Sequence, residues 1–184
     1  MTFVTSHATR LYAAVVVVVL ASPGCVSIRI WPQPLAGDEE SRPWPRPDYP
    51  GTLDIDSVRE SLLLLHNRAR VEKKRPKVSI SQALQEAAQG HAEEMASRRK
   101  MTHDGADGSN VADRITDLGY KYRRCGENIA YGQYTPELVM RGWLTSPPHR
   151  KNILGGYTQV GFGYATDKDG TPYWCVTFGL PAAR

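Results

Sequence analysis

The densest run of proline fixes where a folded domain can lie in this chain. Six of the thirteen prolines fall between residues 31 and 50, as in Pro43-Trp44-Pro45-Arg46-Pro47. Proline locks φ and carries no amide N–H, so this density forbids helix and sheet and predicts an extended, polyproline-like spacer, a stalk holding a domain off a surface, with a disordered tail as the equal alternative. Of the 184 residues, only the stretch beyond it is long enough for a domain, and it holds one. Two catalytic domains do not fit. Charged residues make up 23% and apolar ones 41%, an ordinary globular balance that argues against wholesale disorder. The net charge of +4 is too slight to suggest a nucleic-acid partner. Three cysteines exclude both a disulfide-stapled mini-protein and a four-cysteine zinc site.

Upstream of the spacer, Arg10 precedes an apolar run from Leu11 to Ala21 that includes the valines at 15–19. Such a run rises about 16 Å as a helix, well short of the ~30 Å hydrocarbon core. A charged start, a short apolar stretch and small residues after it read as an export signal. A buried strand is the competing reading, but nothing nearby could cover it. Gly24-Cys25 resembles a bacterial lipoprotein signal, in which Cys25 is lipidated and anchors the chain to a membrane. Ser22 stands where such signals usually have leucine, and ordinary cleavage after Ala21 is the alternative. Either route exports the chain to a compartment where disulfides persist. The expected division is an export signal over 1–25, a proline-rich spacer over 26–52 and a folded, monomeric domain over 53–184. Residues 1–50 carry four arginines against four acids, so the net charge belongs to the remainder.

Helical spacing dominates the first half of the domain. Val58, Leu62, Leu65 and Ala69 recur every three or four residues, with Ser57 and Glu60 at capping-box spacing. That helix must end before Pro76. Arg68, Arg70, Lys73, Lys74, Arg75 and Lys77 crowd its end and read as a solvated helix terminus favoured by the helix dipole, with a polyanion site as the alternative. A second helix is expected from Ser79, burying Leu84, Ala87, Ala88, His91 and Met95. His91 lacks the partners of a His-Glu-x-x-His zinc helix and reads as a core histidine. A short helix over 110–118 closes at Gly119. Residues 120–130 are strand-like, and Thr135-Pro136 opens a helix to about Leu144. Ser146-Pro147-Pro148-His149 is expected to be a loop. Two apolar runs, 160–166 and 173–178, flank Asp167-Lys168-Asp169-Gly170, a hairpin signal. The pattern predicts an α+β fold with a small antiparallel sheet.

Several strings then occur in a telling order. They are His66-Asn67-Arg68-Ala69-Arg70, Thr102-His103-Asp104-Gly105, Cys125-Gly126-Glu127-Asn128-Ile129-Ala130, Trp143 to Leu154 with Ser-Pro-Pro-His-Arg inside it, Val160-Gly161-Phe162-Gly163 and Tyr173 to Gly179. In this order the chain resembles the CAP superfamily of cysteine-rich secretory proteins, antigen 5 and pathogenesis-related proteins, in its bacterial branch. The resemblance implies an α–β–α sandwich, with an antiparallel sheet between helical layers and a cleft on one side. In the family that cleft gathers two histidines and acidic residues, and some members bind a divalent metal there. Carried over, His103 matches the first histidine and Glu127 the first acid. Ser146 stands at the second acid's place and Gly156 at the second histidine's, so His149 is the candidate to supply the missing imidazole. Asn128 and Trp143 complete the expected cleft.

His103, Glu127 and His149 offer a three-ligand set for zinc, or a general base with its partner. A structural role is as well founded: Glu127 bonding loop amides, the histidines packed at the cleft wall. No serine or cysteine has an evident base beside it. Cys125 and Cys175 are the expected disulfide, since both fall in predicted strands of an exported domain. The expected function is an envelope or extracellular binding module for a lipid, glycan or peptide. The alternatives are a metal-assisted hydrolase using His103, Glu127 and His149, or a structural envelope component.

Overall fold

A computed structural model describes residues 53–183, which all belong to one unit. The expected export signal, Cys25 and the whole of the spacer lie outside the described residues.

Helix α1 (Ile55–Glu72) begins one turn earlier than its sequence spacing predicts, because Asp54, not Ser57, is the N-cap. The Asp54 carboxylate accepts from the Ser57 amide at 2.8 Å. The expected helix start at Ser79 is instead a strand, β1 (Ser79–Ile80), which pairs in parallel with a later strand. Helix α2 (Gln82–Arg98) follows, and α3 (Val111–Asp117) is closed at its start by a capping box between Asn110 and Asp113. Strand β2 (Tyr122–Tyr131) leads to α4 (Pro136–Thr145). The Ser-Pro-Pro-His segment is helical, not a loop: α5 spans Pro147–Ile153. Its two prolines occupy the first turn, where a helix needs no intrahelical amide donor. Strands β3 (Gln159–Thr166) and β4 (Pro172–Pro181) form the expected hairpin.

The sheet order is β1-β3-β4-β2, antiparallel apart from the short β1–β3 pair. Period-2 alternation sends Val160, Phe162 and Tyr164 of β3 and Trp174, Val176 and Phe178 of β4 to one face, against α1, α4 and α5. The other face carries α2, which contributes Ala88, Ala92 and Met95 against Tyr173 and Cys175. This is an α–β–α sandwich. The α2 layer can lie so close only because Gly161 and Gly163 face it. A Cβ on Gly161 would sit 2.1 Å from the Leu84 carbonyl carbon, and one on Gly163 would sit 2.0 Å from the Ala88 oxygen.

Two expectations fail in this framework. Cys125 and Cys175 are both free thiols. Cys125 lies opposite Gly179 and Cys175 opposite Ile129, so the two are four residues out of register on neighbouring strands. At about 3.4 Å per residue that offset exceeds 10 Å, beyond the reach of a disulfide. Arg70, grouped above with solvated cations, is buried. Its guanidinium donates to the carbonyls of Pro76, Ile153, Gly155 and Tyr157, clamping the turn between α5 and β3.

Candidate functional site

β2 is an edge strand, and edge strands expose unpaired carbonyls. Here alternate carbonyls are covered from the α4–α5 side. Tyr157 donates its hydroxyl to Cys125, Asn152 its amide to Glu127, and Trp143 its indole N–H to Ile129, at 3.1, 3.0 and 3.1 Å. Asn128, fully buried, donates to the His149 carbonyl and accepts from Asn152. Asn128 and Trp143 therefore tie α5 and α4 to the strand.

On the α2–α3 side, Glu127 projects into a cluster of cations. Its side chain is 3% exposed. His103 Nδ1 donates to Oε1 at 2.7 Å, and Arg114 Nη2 donates to Oε2 at 2.7 Å. His91 Nε2 lies 4.0 Å from Oε1 and donates to the Thr102 carbonyl at 2.8 Å. Burial alone would push the Glu127 carboxyl up. The His103 hydrogen bond and the nearby Arg114, His91 and His103 charges outweigh it and hold the pKa below the ordinary value. The expectation that Glu127 bonds loop amides is corrected: it ties the loop through Arg114. That guanidinium also donates to the carbonyls of His103 and Ser109, on the segment between α2 and α3. Arg114 carries no mark in the sequence, where a helical arginine reads as solvated.

His103 keeps its side chain 58% exposed. With Nδ1 donating to Glu127, its Nε2 is left to face outward. His149, half-buried, shares a 2.8 Å hydrogen bond through Nδ1 with the Ser146 hydroxyl. Burial, then the neighbouring His103, lowers its pKa, which favours the neutral ring. Ser146 is the N-cap of α5, yet its side chain caps no backbone amide. So a serine does have an imidazole beside it, contrary to the sequence reading. Pro147 and Pro148 supply no N–H, so the first two positions of α5 offer no amide to an oxyanion beside this pair.

The expected metal set does not assemble. Among the described residues, no three His, Cys, Asp or Glu side chains are grouped so as to hold a metal ion. Glu127 has both oxygens engaged, one of them by a guanidinium, so a cation there would have to displace Arg114. The residues present do not fit a three-ligand zinc site. Cys175 Sγ lies 3.5 Å from Glu127 Oε2, but burial, then the Glu127 charge, raises its thiol pKa well above the ordinary value. That makes it a poor nucleophile. A separate concavity of about 310 Å³, between the end of α2 and the β3–β4 hairpin, is lined by Glu93, Arg99, Asp167 and Lys168 among others. It includes none of His103, Glu127 and His149.

Solved structures share this architecture. An outer surface protein from Borrelia burgdorferi superposes with a TM-score of 0.66 at 21% identity, over 71% of this chain and 97% of that one. An extracellular protein containing an SCP domain from Bacillus anthracis gives 0.59 at 25% identity, over 71% and 45%. The model of the cysteine-rich secretory protein family matches residues 63–178. The chain belongs to this family, the CAP proteins. The uncharacterized protein YkwD of Bacillus subtilis is 31% identical over 111 residues, which are 60% of this chain and 43% of that relative. The chain thus spans less than half the length of this curated relative. No helix among the described residues is long and apolar enough to cross a membrane.

Proposed function

We propose that this CAP domain is an extracellular or cell-surface binding module, whose cleft between the 100–110 segment and α5 receives a lipid, glycan or peptide. The two structural relatives, one an outer surface protein and the other extracellular, support the location. The observation that carries the binding reading is the state of Glu127. Its charge is spent within the protein, on Arg114 and His103, so it positions a histidine instead of reacting. His103 Nε2 and the half-buried His149 ring then present fixed polar groups to a ligand, beside a wall held by Trp143 and Asn128. A binding site needs such fixed groups and no nucleophile.

The test is a titration of the full chain with a panel of short-chain phospholipids, soluble peptidoglycan fragments and peptides. The reading predicts saturable binding to one class, weakened at least tenfold by His103→Ala, with every probe recovered intact. Turnover of a probe beyond one equivalent would make the site catalytic and overturn the reading. Saturable binding unaffected by His103→Ala would place the ligand elsewhere.

A further inference from the structure

The cations of this domain are unevenly partnered. Arg59, Arg68, Arg98, Arg99 and Arg114 all sit in ion pairs. By contrast Lys73, Lys77, Lys121, Arg123, Arg124 and Lys151 are exposed and form no ion pair among the described residues. Topology brings these six to one end of the molecule. β1 and β3 run parallel, and β2 and β3 both run antiparallel to β4, so β1, β3 and β2 all begin at the same end of the sheet. Lys77 lies just before β1, and Lys121, Arg123 and Arg124 lie at the start of β2. With four strands about 4.8 Å apart, they span the sheet's width of roughly 14 Å. The turn between α5 and β3 bridges them. Arg75 donates to the Leu154 carbonyl from one side, and Arg124 stacks over the Tyr157 ring at 5.5 Å from the other.

The turn at this end offers few free acceptors. The carbonyls of Ile153, Leu154, Gly155 and Tyr157 are all consumed by Arg70 and Arg75, so the turn offers an approaching anion little repulsion. Acids on the elements that reach this end are Glu72, which is paired with Arg68, Glu86 near the start of α2, which accepts from Gln82, and Asp117 at the end of α3. A helix dipole accounts for cations at the end of α1 and in the last turn of α5, but not for Lys121, Arg123 and Arg124 on a strand. Large exposed apolar side chains at this end are the scattered Val71, Ile80 and Leu118, with no exposed aromatic anchor beside them among the described residues for insertion into a bilayer.

We infer that this basic end is a second binding surface, separate from the His103–Glu127 cleft, and that it takes a linear polymer of closely spaced phosphates. Charge supplies the attraction, and the width of the patch suits a chain lying across the sheet end. Binding should therefore weaken steeply with ionic strength.

The test uses the full chain and long-chain inorganic polyphosphate at low salt. Polyphosphate is expected to bind, and the variant Lys73→Gln, Lys121→Gln, Arg123→Gln, Lys151→Gln should bind about tenfold or more weakly. None of those four side chains makes a hydrogen bond or ion pair among the described residues, so the variant should melt like the wild type. A control carrying Lys100→Gln, Arg141→Gln and Lys168→Gln, changed away from this end, should retain affinity. Absence of polyphosphate binding, or an equal loss in the control, overturns the inference. So does tighter binding to phosphatidylglycerol vesicles than to polyphosphate, which would make the surface a membrane contact. His103→Ala should leave polyphosphate binding intact, which separates failure here from failure of the cleft reading.

Discussion

Glu127 and His103 touch each other, yet their substitution should have unlike consequences. Removing the Glu127 charge leaves the Arg114 guanidinium, largely buried, without its counter-charge. Breaking a buried pair from one side costs about 3 kcal/mol or more. Glu127→Gln is therefore expected to lower the unfolding free energy by that amount in urea titration. His103→Ala, at an exposed ring, should cost only about 1 kcal/mol. Equal losses would mean that the carboxylate is not the hub of the cluster.

A further imidazole, His66, works only in the core. It is fully buried among the rings of Trp143, Phe162 and Phe178, with Nδ1 donating to the Leu62 carbonyl. Desolvation lowers its pKa to about 4. The unfolded chain takes up a proton below about 6.5, whereas the folded one resists until about 4. Its contribution is thus complete above pH 6.5 and lost as pH falls toward 4, amounting to about 3 kcal/mol across that window. His149, also lowered, adds a slope of the same sign, and Glu127 adds its own below the ordinary carboxylate range. Stability measured from pH 7 to 4 should fall less steeply in His66→Phe than in the wild type. Parallel curves would show that His66 is not the neutral core group described.

At the scale of elements, the contact between α2 and the sheet depends on missing side chains. Gly163→Ala would drive a methyl into the Ala88 carbonyl, which is backbone and cannot rotate away. The expected cost is about 3 kcal/mol or more, visible as a large fall in melting temperature. A well-tolerated alanine would mean that α2 sits farther out. Register makes a second prediction. Cys125 and Cys175 should both be alkylated after unfolding without reductant, and a mass-mapped Cys125–Cys175 peptide would contradict the pairing of β2 with β4.

Elements also show what the sequence could carry. Helix periodicity, the Gly119 stop, the Thr135-Pro136 start and the Asp-Lys-Asp-Gly turn are local signals, and each element they predict is present. The errors lie where one local pattern has two outcomes. Pro147-Pro148 reads as a breaker, but at the first two positions of a helix it is a starter. Ser79 could begin a helix or, as here, end a loop by pairing with Gln159, eighty residues away in sequence. Arg70 and Arg114 are illegible because a buried guanidinium and a solvated one are spelled alike. The ordered motifs signal the family and bring out His103 and Glu127, but not the arginine that holds them.

For the whole molecule, labour is divided around one carboxylate. Glu127 belongs to the buried fold, His103 to the exposed surface, and a hydrogen bond from Nδ1 to Oε1 joins them. The most direct test is nitrogen-15 NMR of the histidine rings at about pH 8.5, where a neutral imidazole reveals its tautomer. The expected result is that the His103 proton resides on Nδ1 and moves off it, or exchanges between sites, in Glu127→Gln. A wild-type proton on Nε2, unaffected by that substitution, would show that Glu127 does not orient His103, and the central claim would fall.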